Sequence, residues 1–446
     1  MYTFPSGLYS DIRIEDVFET KIELTDGRLD EIKEKEYKGV FIRVFDGKRW
    51  FYSATSDIEG IQNELDDLAK LADANDDIEN HPVVKKFEVN KGDFCEFTGD
   101  KDIASTNIDE KKKLIEGYTA LLKGDKAISS LKSYYVDKRK KKTFYSSKGA
   151  DLTFDFQMAG LRLVFSLKNG EKLFSENYDC ASADFQDLKN KDKKIKERFN
   201  QAVSFLNTAQ DVKPGKYTVI FSPLAAGVFA HESFGHKSES DFMVGDEAMR
   251  KEWTIGKKVG ADLLSIIDDG NPEGSGHVTF DDEGTRAKKT YLIKDGVLSG
   301  RLHSGSTAAY LEEDCTGNGR AINFEYEPVV RMTTTYIDKG DKTLDELISE
   351  VKDGVLVETI KHGSGMSTFT IAPSLAYAIK DGKVAQPLKI SVVSGNVFKT
   401  LNEIDGVSDT IKLHSFVLGG CGKMEQFPLS VGFGGPYVRV NNLDVQ

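Results

Sequence analysis

No stretch of the 446-residue sequence reaches ~18 uninterrupted apolar residues, so it contains no candidate for a membrane-spanning helix. Its start, MYTFPSGLYSDIRIED, lacks a basic region followed by an apolar one, and no secretory signal is expected. Cysteine is scarce. The four, Cys95, Cys180, Cys315 and Cys421, form no CxxC pair, which excludes a disulfide framework and points to a reducing, cytoplasmic compartment. Positive charge is in deficit, with 60 Lys and Arg against 72 Asp and Glu and a formal net charge of −12. A field of that sign repels phosphate backbones, so neither nucleic acid nor a membrane is an expected partner. There is no repeat of fixed period and no low-complexity tract.

Aromatic residues are plentiful, with 27 Phe and 16 Tyr, enough to build hydrophobic cores and exclude wholesale disorder. At ~150 residues per domain the length allows two or three domains. Residues 9–55 alternate apolar and polar positions, with turns at Asp26-Gly27 and Asp46-Gly47, which predicts an antiparallel meander. Residues 57–75 and 108–122 switch to a helical period, as do 193–206. Between them, 133–147 reads as a hairpin turning at the basic run Lys138–Lys142, and 151–170 as two strands. The glycine-rich second half is mostly strands, with hairpins at Asp295-Gly296 and Asp381-Gly382. A helix near 344–354 is expected to end at Gly354. The pattern predicts an α+β chain of two domains. Residues 1–210 form a mixed antiparallel sheet with helices; residues 211–446 form a strand-rich domain in which one helix delivers the motif described next.

That motif is LAAGVFAHESFGHKSESD, residues 224–241. His231 and His236 with Glu232 between them are the parts of a hydrolytic metal site, in which imidazoles bind a divalent ion and a carboxylate works on its water. The familiar spacing is HExxH; here it is HExxxH. On a straight helix positions i and i+5 lie about 140° apart in azimuth and ~7.5 Å apart in rise, so both rings cannot face one ion. The helix must end or take a π-type bulge between them, and Gly235, free to adopt positive φ, suits such a break. The alternative is a pair of ordinary histidines near a helix end. A third ligand is needed, and Glu239, Asp241, His277, His303 and Cys421 are candidates. Cys421 stands between glycines in LGGCGKMEQF, which suits either a reachable thiol or a tight turn of no chemical role.

HESFGH with ESD at 239–241, DDEGT at 281–285, TGNGR at 316–320 and GGCGK at 419–423 together resemble the TldD/PmbA family, long labelled modulators of DNA gyrase and understood as metallopeptidases. The likeness extends through VVRMTTTYI at 329–337, the closing GGPYVRVNNLDV and the YSDIRIED start, so it covers nearly the whole chain. It implies zinc held by His231, His236 and Cys421, a ligand set that suits zinc better than magnesium or calcium. Glu232 would be the general base and acid for a metal-activated water. PmbA-type members lack the histidine motif, so the chain resembles the catalytic, TldD-like side. The resemblance implies action on small or unstructured peptides, bound extended at a sheet edge, and a dimer with itself or with a PmbA-like chain. Two departures stand out: Glu425 replaces a usual glycine in CGKMEQ, and Lys237 follows His236 where glycine is common. These keep open a non-catalytic scaffold or peptide-binding subunit that pairs with an active homologue.

The remaining features carry less. Glu239, Asp241 and the triplet Asp281-Asp282-Glu283 could orient the histidines, although the triplet also reads as a polar strand end before Gly284. GGCGK lacks the upstream glycine and the Ser/Thr of a phosphate loop, and VGFGGP has no strand–helix context. His81 and His362 read as surface residues, and Cys95, Cys180 and Cys315 as structural thiols.

Overall fold

Period-two patterning over residues 9–55 produces three antiparallel strands, Tyr9–Thr25, Arg28–Phe45 and Trp50–Thr55, in the computed structural model, which describes residues 2–446. Asp26 and Gly27 join the first two with φ of 52° and 75°, the left-handed pair that a two-residue hairpin loop requires. Two further long strands, Ile128–Ser146 and Asp151–Asn169, extend the sheet, and Lys91–Phe94 and Lys172–Ser182 both pair with the latter. Helices Ile61–Leu71, Ile108–Ala120 and Asp192–Thr208 cover it through their apolar stripes; Ile115, Tyr118, Ile195 and Phe199, for example, pack on Leu131, Leu161 and Phe165.

Two readings of this half change. Residues 151–169 form one strand, not two, and the basic run Lys138–Lys142 lies mid-strand instead of turning a hairpin. The reason is cross-strand charge matching: in register, Glu15 lies opposite Lys142 and Glu19 opposite Lys138. A run that looks like a solvated loop is neutralised by acidic residues ~120 positions earlier in the chain.

From Gln210 onward every strand pairs within other sheets, the largest of ten strands. Its strand Gly215–Phe221 lies between Val438–Val445, antiparallel, and Asp353–Val357, parallel. The fold is α+β, with sheets dominant. Helix Leu344–Ser349 stops well before Gly354, which instead lies in the strand Asp353–Val357 beside Gly215–Phe221, where a Cβ would lie 2.6 Å from the Thr218 carbonyl oxygen. No helix is long and apolar enough to cross a membrane.

Buried charges join the two halves. The Arg43 guanidinium binds Asp11 at 2.8 Å and reaches across to Glu283 at 3.0 Å, with all three side chains almost fully buried. Lys142 meets Asp282, Arg13 donates to the carbonyls of Asn323 and Tyr326, and Lys140 Nζ donates to Ile322 O at 2.6 Å. The acidic triplet is therefore neither a solvated strand end nor a support for the histidines: Asp282 and Glu283 receive cations of the N-terminal sheet, and Asp281 accepts from the backbone N–H groups of Glu283, Thr285 and Gly319. Removing one partner of a buried pair strands the other charge, at a cost of roughly 3–5 kcal/mol. Arg43→Met, which strands both Asp11 and Glu283, should therefore lower the urea-unfolding midpoint markedly, and adding Asp11→Asn and Glu283→Gln should recover part of the loss. Unchanged unfolding of Arg43→Met would show that this contact does not hold the halves together.

Candidate metal centre

The strand Gly215–Phe221 runs into helix Pro223–Ala230 through Ser222, whose hydroxyl caps the Ala225 N–H, with Pro223 in the first helical position. This helix is buried almost all round, and its small residues are needed. A Cβ at Gly227 would lie 2.3 Å from the Gly434 backbone nitrogen. The next turn is wider. Residues His231–Gly235 form a π turn, closed by a hydrogen bond from the His236 N–H to the His231 carbonyl. An i→i+5 bond brings residues five apart roughly one turn apart on the helix surface. The longer HExxxH spacing is thus accommodated, and the two imidazole centroids lie 5.1 Å apart.

Gly235 is not where the expected reason put it. It is right-handed helical, with φ −54° and ψ −55°. Its lack of a side chain matters because a Cβ there would sit 1.9 Å from Met332 Sδ, in a fully buried core.

Cys421 arrives from a separate element, the two-stranded hairpin Cys421–Lys423 with Gln426–Leu429. Gly420 has φ 154°, and a Cβ there would lie 2.4 Å from Leu429 O, so this glycine serves close backbone approach. The buried Arg331 guanidinium fixes the hairpin by donating to the carbonyls of Cys421 (2.7 Å) and Gln426 (3.3 Å). One nitrogen each from His231 and His236 and the Cys421 Sγ lie within 4.8 Å of one another. His277 and His303 lie outside this group. His303 pairs with Glu313 at 2.9 Å, and His277 faces the Asn271 carbonyl at 3.2 Å.

His236 is oriented from both sides, its Nε2 facing Cys421 Sγ at 3.5 Å and its Nδ1 facing the fully buried Glu239 at 3.3 Å. Glu239 in turn meets the Lys423 ammonium at 3.1 Å, and that ammonium also binds Asp241 and the Val330 carbonyl. Burial alone would raise the Glu239 carboxyl, but hydrogen bonding from His236 and the Lys423 charge bring it below its ordinary value. Burial likewise opposes ionisation of Cys421, yet hydrogen bonding to His231 and His236 takes its thiol down to about 5. Desolvation acts against a charged His236, but Cys421 and Glu239 carry it to about 10. Two imidazoles and a thiolate are donors of the softness that zinc takes. The His231 Nδ1 is buried without a hydrogen-bond partner, and His236 has the imidazole–carboxylate support common behind metal ligands. The residues present fit such an ion.

Lys423 is the member of this network that the sequence did not reveal by type. Its signal was position: two residues after Cys421 in a strand, it points to the same face. Glu232 is half-buried and lines the same cleft as His231 and Cys421, a space of about 680 Å³ between the two halves of the chain. His362 is exposed, as expected, but lies on this cleft, as does Cys180. His81 caps a short helix, accepting from the Val83 N–H. Neither sequence departure reaches the cleft. Lys237 is buried against Glu252 and the Phe398 ring, and Glu425 is exposed at the hairpin turn.

Comparison with known proteins places the chain in a family. The profile of the PmbA/TldA metallopeptidase C-terminal domain matches residues 214–446, and that of PmbA/TldA metallopeptidase domain 1 matches residues 10–75. A metalloprotease of Synechocystis sp. is 32% identical, over 98% of this chain and 94% of its own. A zinc metalloprotease TldD homolog of Saccharolobus solfataricus is 27% identical over 98% and 96%. The crystal structure of a candidate modulator of a DNA gyrase from Thermotoga maritima superposes with a TM-score of 0.79 at 21% identity, covering 99% of this chain and 96% of its own. TldE from Thermococcus kodakarensis gives 0.75 at 18%, covering 98% and 96%. The structures share the fold. The chain belongs to the PmbA/TldD metallopeptidase family, and its relatives' names support a metallopeptidase.

The packing at Gly235 can be tested directly. Gly235→Ala should destabilise the fold by about 1–3 kcal/mol, read as a lower urea midpoint. Combined with Met332→Ala, the loss should be smaller than the sum of the two single losses. Strict additivity would show that the two residues do not meet.

Proposed function

We propose that this family member is a zinc-dependent peptidase that hydrolyses small or unstructured peptides, with His231, His236 and Cys421 holding the ion and Glu232 as general base and acid. The observation that carries this is convergence. Two imidazoles on a π turn and a thiol on a hairpin about 190 residues away in sequence meet beside a carboxylate that lines an open cleft. Zinc, when bound, would polarise the scissile carbonyl and ease deprotonation of water.

The chain's own residues supply the rest. Glu232 follows a ligand directly and is reachable from the cleft, so it is placed to take the proton of the attacking water and return it to the leaving amine. Glu239 accepts from the His236 Nδ1–H and keeps Nε2 turned to the ion. The strand Ile360–Gly365 ends the ten-stranded sheet, with no strand on its outer side among the described residues. It contributes Ile360–Gly363 to the cleft and packs on the π turn, where a Cβ at Gly365 would lie 3.2 Å from Glu232 O. An extended peptide added along this edge would reach Glu232 through backbone hydrogen bonds that demand little of its sequence. Nothing in the placement of Lys237 or Glu425 favours a non-catalytic scaffold over this reading.

Elemental analysis should find about one zinc per chain in the wild type and a large loss in Cys421→Ala. Glu232→Ala should keep the zinc while cleavage of an unstructured peptide falls about 10²–10⁴-fold. A protein that takes up no zinc when supplied with it and cleaves nothing would overturn the proposal.

A further inference from the structure

The cleft carries charge of the opposite sign to the chain as a whole. The wall helix Asp192–Thr208 and the residue before it contribute Lys191, Lys194 and Arg198, and the C-terminal half contributes Lys361 and Lys412. None of these five cations has a carboxylate partner among the described residues. Of the carboxylates in the same lining, Asp179 is clamped by Arg162 at 2.6 Å and Glu197 faces Lys193 at 3.8 Å. Glu176 accepts from the neutral Thr359 hydroxyl at 2.9 Å and keeps its charge. Glu176 and Glu232 are left to face five positive groups, in a protein of formal net charge −12.

Arg198 is the most informative of the five. It is half-buried, yet its guanidinium has neither a carboxylate nor a carbonyl to donate to among the described residues. A guanidinium that lines a cleft without a protein acceptor is free to take one from whatever enters, and its planar fork receives a carboxylate bidentately. His414, also in the lining, is pushed down to about 4 by burial first and then by Lys412 and Arg198. Low-dielectric walls focus such a field on whatever enters.

We propose that the cleft selects peptides bearing a carboxylate, which Arg198 receives with Lys412 beside it, so that this peptidase prefers them over peptides that carry none. The inference rests on the peptidase reading for its role, though not for its chemistry. The carboxylate has two possible sources, an acidic side chain or a free C-terminus, and both would dock by the same charge-assisted hydrogen bonds. Capture by the positive groups of the cleft should weaken as salt screens their field.

The test uses three fluorescent versions of one unstructured peptide: neutral and amidated, amidated with one Gln replaced by Glu, and neutral with a free C-terminus. Cleavage is measured with zinc-loaded wild type, Arg198→Ala, Arg198→Lys and Lys412→Ala, and binding by anisotropy with Glu232→Gln. Wild type should favour at least one carboxylate peptide by about tenfold in kcat/KM, mainly through KM. Arg198→Ala should lose about tenfold more on that peptide than on the neutral one, with Arg198→Lys intermediate. Preference for the Glu peptide alone assigns an acidic side chain; preference for the free C-terminus alone assigns the chain end. Equal treatment of all three peptides, or an Arg198→Ala loss equal on all of them, overturns the proposal and leaves the peptidase reading standing. No cleavage, but anisotropy that still favours a carboxylate peptide, would overturn the peptidase reading and support the carboxylate site. No preference in either measurement overturns the carboxylate site.

Discussion

The buried Lys423 ammonium ties together the parts from which the candidate metal centre is built. It binds Asp241, Glu239 and the Val330 carbonyl at once, and so joins the hairpin that carries Cys421 to the loop that follows His236. A two-stranded hairpin is marginal alone, with no third strand to hold its register. Here it is held by Lys423 on one side and by Arg331 on the other. Glu239, fully buried, would be an uncompensated charge without that ammonium. With it, Glu239 stays ionised and fixes the ring of His236. The position of Cys421 and the orientation of the His236 imidazole follow from this one arrangement of charges, and the two histidines give the Cys421 thiol its acidity.

A second set of buried charges decides what surrounds the centre. Arg43, Lys142 and Arg13 of the N-terminal sheet fit onto Glu283, Asp282 and the nearby carbonyls of the C-terminal half. That fit presents the helix Asp192–Thr208 to the cleft. Every group proposed for the chemistry belongs to one half of the chain, whereas much of the positive charge lining the cleft belongs to the other. The division would let binding preference vary with the helix surface while the buried geometry of His231, His236 and Cys421 stays fixed.

Much of this was legible in residue order, and the failures have identifiable causes. The Asp-Gly turns at 26–27, 295–296 and 381–382 are local signals, with positive φ at both positions of each, and local signals survive folding. The run Lys138–Lys142 misled because its partners, Glu15 and Glu19, are remote in sequence and only strand register brings them opposite. Gly354 looked like a helix terminator but is required by close approach to Thr218, and Gly235 looked like a helix breaker but is required by Met332. In both cases a glycine chosen for lack of volume resembles one chosen for backbone freedom.

The sequence by itself determined the α+β class, the period-two strands, the histidine pair with its glutamate and the glycine-flanked cysteine, because composition, turn chemistry and spacing act over a few residues. Only the tertiary structure decided that five-residue spacing is met by a π turn, that Lys423 rather than the acidic triplet supports the site, and that five unpaired cations line the cleft. Those outcomes depend on distances between elements far apart in the chain, and such distances are set by packing and buried charge, which no local pattern encodes.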